Sequence, residues 1–415
     1  VILIHGIMGA RLQAPSGKEI WPGNTAKLLF SSFRALAFEI DPVNLQVRDA
    51  KVSAAAIFEG AAGRDFYGAI ISTLADAGGY ARASPGQAKE RQGAPSYYVF
   101  LYDWRRDAVE SVRALDELIE QIRRDHSNPE LRVDIVAHSM GGLIARYYAR
   151  FGTRDVLTGN DFPVTHHGAK KIRRLILLGT PNFGSLSSLT SLIEGSRIGL
   201  RRIPPEVLLT MPAIYQLLPH ALNDWIIQID GRALDRDLFD IEIWRRFQWA
   251  IFDPKVRRRV RAAAPNAAQA ELDLQTLERW FGLQLERARR FTWSLTVAEP
   301  AGGVHPMVLG GDCTLTPARV LVEEVDGESL LRMWPEQIAH PKAGVDYQAL
   351  MLEPGDGVVT KASLLAREVL DASSPRHPWS HFPLSYPVFL CARHDQLTGN
   401  PSFQDNLLHA LLSVD

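Results

Sequence analysis

The stretch Arg132 to Tyr148, RVDIVAHSMGGLIARYY, constrains this chain more than any other. Val133, Ile135 and Val136 read as a short buried strand. Beyond Ala137-His138-Ser139-Met140-Gly141, Leu143, Tyr147 and Phe151 recur every fourth residue, as do Ile144 and Tyr148, and that spacing is one face of a helix. A strand that enters a helix through small-x-Ser-x-Gly is a nucleophile elbow, a turn so sharp that its flanking residues must be small. It lifts a serine oxygen clear of the sheet edge. Ala137 stands where the pattern has its first glycine, and the same five residues alone also fit an ordinary glycine-containing turn. The elbow reading requires the rest of the chain to supply an acid, a histidine and an oxyanion hole.

Val1 to Ile4 is a continuous apolar run, the mark of a parallel strand buried on both faces. It runs into His5-Gly6-Ile7-Met8-Gly9, which is either a plain glycine turn or the first half of an oxyanion hole with Met8 or Ile7 N–H as donor. Residues from about 11 to 63, with a Phe-rich stretch near Leu28 to Phe38, show no βαβ rhythm and read as an insertion that builds part of a cap. A helix is predicted over Asp65 to Asp76 and a surface loop over Ala81 to Ser96. Tyr97 to Tyr102 is the next strand, and Ala108, Val112, Leu115, Ile119 and Ile122 form a helical stripe. Leu175 to Leu178 then closes a strand-helix-strand-helix-strand order, which argues a parallel sheet covered by helices.

The rhythm stops between about 183 and 303, a block rich in Trp and Phe with arginine clusters at 257–261 and 287–290. An insertion there would sit over the carboxyl ends of the strands. Most of its aromatics are expected to be the core of that cap, and the arginines either a solvated helix face or a contact for anionic head groups. The sheet resumes at Pro306 to Leu309, followed by a hairpin from Ala318 to Trp334 and a last strand from Tyr386 to Cys391.

Composition excludes several classes. A formal charge of −1 and 46% hydrophobic residues describe an ordinary globular chain, without the basic excess that nucleic acid calls for. No apolar run is long enough to span a bilayer. The 2 cysteines, Cys313 and Cys391, are too few for a disulfide framework or a thiolate metal site, and Cys391 reads as core. That low count favours the cytoplasm, with the chain soluble or peripheral. No cofactor is called for.

A serine hydroxyl needs a base within hydrogen-bond reach, and the base needs an orienting acid. Ser139, Asp356 and His394 occur in the chain order of α/β-hydrolases. Asp356 lies in the glycine-flanked loop Pro354 to Thr360, where a simple turn aspartate is the alternative, and His394 stands just past the last strand. His377 and His381 are rivals, but they precede that strand and belong to its opposite end; His138 reads as a packing or backbone-bonding residue. The oxyanion donors would be the N–H of Met140 and one from the loop after Gly6, Met8 in the first place.

With these pieces in place the chain resembles the lecithin:cholesterol acyltransferase family. The landmarks are Ile4 to Leu12, Leu74 to Tyr80, Tyr102-Asp103-Trp104-Arg105, Ala137 to Gly142, Leu178 to Ser185, Gly355 to Val359 and His394. The resemblance implies an α/β-hydrolase fold, a mostly parallel central sheet with helices on both faces and a large helical cap. The core would comprise 1–182 and 304–415 and the cap 183–303. It further implies a triad of Ser139, Asp356 and His394, oxyanion donors Met8 and Met140, and a mobile lid after Ser185. Tyr102 to Arg105 has no obvious part in acyl chemistry and reads as structural. The function implied is hydrolysis or O-acyl transfer on a phospholipid-type ester, with an alcohol as the acceptor in the second case and lipid-surface contact through the lid. A lipase or esterase on smaller or neutral esters, and a catalytically silent binding member, are the alternatives.

Overall fold

The computed structural model describes residues 1–23, 32–48, 51–61, 64–87, 95–199, 201–371 and 373–413. Its central sheet contains β1 (Ile2–Ile4), β2 (Ala81–Arg82), β3 (Ser96–Phe100), β4 (Val133–His138), β5 (Ile172–Leu178), β6 (Met307–Gly311) and β7 (Tyr386–Leu390). They lie in the order β7-β6-β5-β4-β1-β3-β2, and every neighbouring pair is parallel. The main helices are α1 (Ala108–Asp125), α2 (Met140–Phe151), α3 (Leu186–Glu194), α4 (Pro254–Ala263), α5 (Ala267–Ser294) and α6 (Pro401–Leu412). The chain has the α/β-hydrolase fold.

The apolar runs of β1 and β4 follow from burial on both faces. Ile2 and Ile4 enter one core with Val112, Leu115 and Ile119 of α1 and Leu143 and Tyr147 of α2. Leu3 and Val136 point the other way, into a second core with Ile70, Leu74 and Phe403, Leu407 and Leu411 of α6. A period of two divides one strand between two cores, so alternation of polar residues cannot appear.

The stretch between β5 and β6 carries α3, the hairpin Ser196–Ile198/Arg201–Ile203, α4 and the 28-residue α5. Trp225, Trp244, Trp249, Trp280 and Phe281 are all buried there, so its aromatics are packing residues. The hairpin Val320–Val325/Glu328–Arg332 pairs through Val320 and Leu321 with Ile226–Ile227, which attaches it to this stretch and not to the central sheet.

Several expectations need correction. The helix expected over Asp65 to Asp76 starts at Gly68, because both Asp65 carboxylate oxygens accept the N–H groups of Gly68 and Ala69, and Arg64–Asp65 instead pairs with Gly60–Ala61. The loop expected over Ala81 to Ser96 begins as the edge strand β2, and 88–94 lie outside the described residues. The insertion over 11–63 is built from β-structure: Ala10–Gln13 pairs with Glu19–Trp21 and Ser53–Ile57; Leu28 to Ser31 fall outside the described residues. Cys391 is not core. It is exposed and disulfide-bonded to Cys313, with a Cα–Cα distance of 5.1 Å. The partners are 78 residues apart in sequence and meet only because β6 and β7 are neighbours. A count of two therefore does not favour a reducing compartment, since disulfides persist in oxidising ones. No helix among the described residues is long and apolar enough to cross a membrane.

Candidate active site

β4 ends at His138, and Ser139 turns the chain into α2 with φ 54° and ψ −126°. A non-glycine residue in that region costs on the order of 1–3 kcal/mol and persists only where its surroundings hold it. Here Ser139 N–H donates to Leu178 O at 2.8 Å, and Ser139 O accepts Gly142 N–H at 3.0 Å. The Met140 N–H opens the helix and is one of the donors that no helix can satisfy internally.

Asp356 follows the strand Leu352–Gly355, and His394 follows β7 by four residues' reach of loop. His394 Nε2 lies 3.0 Å from Ser139 Oγ, and its Nδ1 lies 2.8 Å from Asp356 Oδ2. The other carboxylate oxygen, Oδ1, accepts Val358 N–H at 2.9 Å and Val359 N–H at 2.7 Å. Main chain also ties the two loops, His394 N–H donating to Asp356 O at 2.9 Å. The disulfide joins Cys391, three positions before His394, to Cys313, two positions past the end of β6.

Burial alone would raise the Asp356 carboxyl, but the His394 charge, its hydrogen bond and the two backbone donors hold it below the usual carboxylate value. Burial likewise would lower His394, yet the facing Asp356 carboxylate raises it above the usual imidazole value. Burial takes His138 down to about 3 and His5 to about 4, so both stay neutral.

The expected oxyanion loop is a turn closed by Gly9 N–H to Gly6 O at 3.1 Å, with Met8 at φ 61°. A side chain at Gly6 would put a carbon 2.8 Å from Ser139 Cβ, so only glycine lets this loop approach the nucleophile. Gly179 serves His394 in the same way: at φ +57° after β5, a Cβ there would press on the imidazole at 3.2 Å.

Tyr67 completes the site, and no motif in the sequence marks it. Its buried hydroxyl accepts Gly6 N–H at 2.8 Å and lies 2.8 Å from His138 Nδ1. His138 is accordingly held by a phenol and packs its ring 5.0 Å from that of His394, the packing role expected of it. The only sequence signal was an aromatic next to a helix start, which every core uses. Of the rival histidines, His381 lies 3.9 Å from Glu299, and its N–H donates to Thr296 O; His377 receives Ser380 N–H at its carbonyl. Neither meets Ser139.

Tyr102 to Arg105 braces the site. Tyr102 Oη donates to His5 O at 2.6 Å, Trp104 Nε1 to Ala10 O at 3.1 Å, and Arg105 pairs with Asp103 at 2.7 Å. Arg105 also donates to Leu36 O, and its carbonyl receives Ala213 N–H, so it ties the sheet to both insertions.

Residues 97–234 match the family model of lecithin:cholesterol acyltransferase. A chain of the Tle4-Tli4 complex aligns with 13% identity over 99% of this chain and 97% of its own, at a TM-score of 0.59, which bears on the fold alone. The Bacillus licheniformis lipase BlEst2 in mature form aligns at 11% identity over 100% of this chain and 91% of its own, and its TM-score of 0.36 carries no weight. No curated protein matches the chain by sequence. The segment that holds the elbow is thus similar to the lecithin:cholesterol acyltransferase family, and the chain as a whole has an α/β-hydrolase fold.

Proposed function

We propose that the protein is a serine-dependent acyl enzyme acting on a phospholipid-type ester, with Ser139 as nucleophile, His394 as base and Asp356 as orienting acid. The observation that carries this reading is the row from Ser139 Oγ to His394 Nε2 at 3.0 Å and from His394 Nδ1 to Asp356 Oδ2 at 2.8 Å, on a strained elbow. The family match over 97–234 supports a lipid ester as the acyl donor.

Ser139 Oγ attacks the ester carbonyl while its proton passes to His394 Nε2. The carbonyl oxygen becomes an oxyanion, held by the N–H groups of Met8 and Met140; each such donor is worth about 3 kcal/mol in the transition state. Asp356 steadies the imidazolium. Collapse of the intermediate breaks the ester C–O bond, and the leaving alcohol takes the proton from His394. Water or a second alcohol then attacks the acyl-Ser139 carbonyl and gives its proton to His394; collapse breaks the acyl–Oγ bond, His394 returns the proton to Ser139 Oγ, and the acid or new ester leaves. Residues 183–303 act as the cap over a core of 1–182 and 304–415.

Incubation with a phospholipid, with and without a sterol or diacylglycerol acceptor, tests the reading. Free fatty acid alone makes the protein a hydrolase, and a new neutral ester makes it a transferase. Release of neither, or release that survives Ser139→Ala, refutes the assignment.

A further inference from the structure

Away from the triad the cap carries an open groove of about 600 Å³ lined by Arg34, Arg197, Arg201, Arg202 and Arg259, with Glu206 as its one acid. Arg259 pairs with Glu206 at 2.8 Å and Arg202 with Glu194 at 3.3 Å. Arg34, Arg197 and Arg201 are exposed and have no carboxylate partner among the described residues. Such a concentration stands out in a chain whose formal charge is −1. The two existing pairs are solvent-exposed and hold their arginines only weakly.

A second groove, about 300 Å³, shares Arg34, Glu206 and Arg259 with the first; its walls include Phe38, Ile40, Val207, Val260 and Leu277, together with the acids Asp273 and Glu39, the latter paired with Arg48. Ile40 belongs to the short hairpin Glu39–Ile40/Val47–Arg48, in whose connection Val43 is 83% exposed. Arg279 holds that connection through Pro42 O at 3.0 Å. Positive charge beside apolar wall and a protruding apolar tip matches an aggregate that offers anions above acyl chains. A polyanion such as nucleic acid would leave the apolar half unused.

The groove is coupled to the site by one helix. Val358 donates its N–H to Asp356 Oδ1, and its carbonyl accepts the hydroxyl of Ser185, the cap of α3. From there α3 runs about 14 Å to the hairpin that carries Arg197, Arg201 and Arg202.

We infer that the arginine groove and its apolar neighbour form a docking surface for anionic phospholipid membranes, distinct from the triad. The inference rests on the lipid-ester reading of the site and adds where the protein meets the lipid and which charge it selects. Each arginine near an anionic surface strengthens binding about fivefold, so the three unpaired ones together supply about a hundredfold.

The test is co-sedimentation with vesicles of ether-linked phosphatidylcholine, with or without ether-linked phosphatidylglycerol. These lipids contain no ester, so binding is read without turnover. The intact protein is expected to prefer the anionic vesicles. Arg34→Ala/Arg197→Ala/Arg201→Ala should lose about a hundredfold of that binding while cleaving a soluble short-chain ester at the unaltered rate. Equal binding to both vesicles, or a triple variant that binds like the parent, overturns the docking surface. So does release by inorganic phosphate at matched ionic strength, which marks a discrete anion site, or tighter binding to duplex DNA. Charge-dependent docking together with no cleavage of any ester leaves the surface standing and refutes the catalytic reading instead.

Discussion

Replacing Tyr67 by Phe removes one oxygen and leaves the ring. That oxygen is buried and stands between Gly6 N–H and His138 Nδ1, each at 2.8 Å. The variant therefore leaves one buried donor and one buried acceptor without this partner. Each costs about 1–3 kcal/mol, which places the loss of stability at about 2–6 kcal/mol. Gly6 is also where the turn carrying Met8 begins, and that turn abuts Ser139 so closely that no side chain fits between them. A loop freed at Gly6 would present the Met8 N–H less accurately. Loss of a whole oxyanion donor costs about a hundred- to a thousandfold in kcat, so a misplaced one should cost about ten- to a hundredfold, with KM little changed. Urea denaturation and steady-state cleavage of a soluble ester read the two effects separately. A variant that is less stable but keeps kcat would show that Tyr67 is a packing residue only. A variant unchanged in both would refute the buried network.

Three further outcomes follow from the same geometry. Asp356→Asn should lower kcat about 10⁴-fold and, by removing the anion that raises His394, move the acidic limb of the pH profile downward. In the parent that limb should lie above the ordinary histidine value of about 6.5, because His394 must be neutral to accept the Ser139 proton and its pKa is raised; a limb at or below that value contradicts the pairing. Stability follows with opposite signs: the raised His394 stabilises at low pH and its share fades as pH climbs through the folded pKa, whereas the lowered Asp356 stabilises above the unfolded carboxylate value and its share fades as pH falls through the folded pKa. Cys313→Ser/Cys391→Ser opens a loop spanning a sequence separation of 78, worth about 4.5 kcal/mol on chain entropy, and should lower kcat more than it raises KM because it loosens the loop of His394; denaturation of the parent with and without dithiothreitol should show the same difference.

The parts that the sequence made legible are those with local rules. Ser139 sits at a change of period from two to 3.6, and His394 follows the last strand of the parallel sheet, whereas Asp356 follows the short strand Leu352–Gly355, which pairs antiparallel with Thr314–Pro317 outside that sheet. What stayed hidden depends on residues brought together from far apart. Tyr67 reaches His138 across 71 positions, and nothing in an aromatic near a helix start announces a hydroxyl between two buried polar groups. Cys313 and Cys391 meet because of strand order, which composition does not contain. The edge strand β2 pairs through only two residues, Ala81 and Arg82, too short a run for any pattern to stand out from a loop. The Asp65 carboxylate ends a hairpin and starts a helix at once, so the helical period alone placed that start too early.

The central claim is that the acyl group passes through Ser139. Rapid quenching during turnover of a phospholipid, followed by proteolysis and mass measurement, tests it most directly. The account predicts an added acyl mass on the peptide containing Ser139, absent in Ser139→Ala and accumulating in His394→Ala only slowly if at all. Turnover without an adduct on that peptide, or an adduct on another residue, would contradict it.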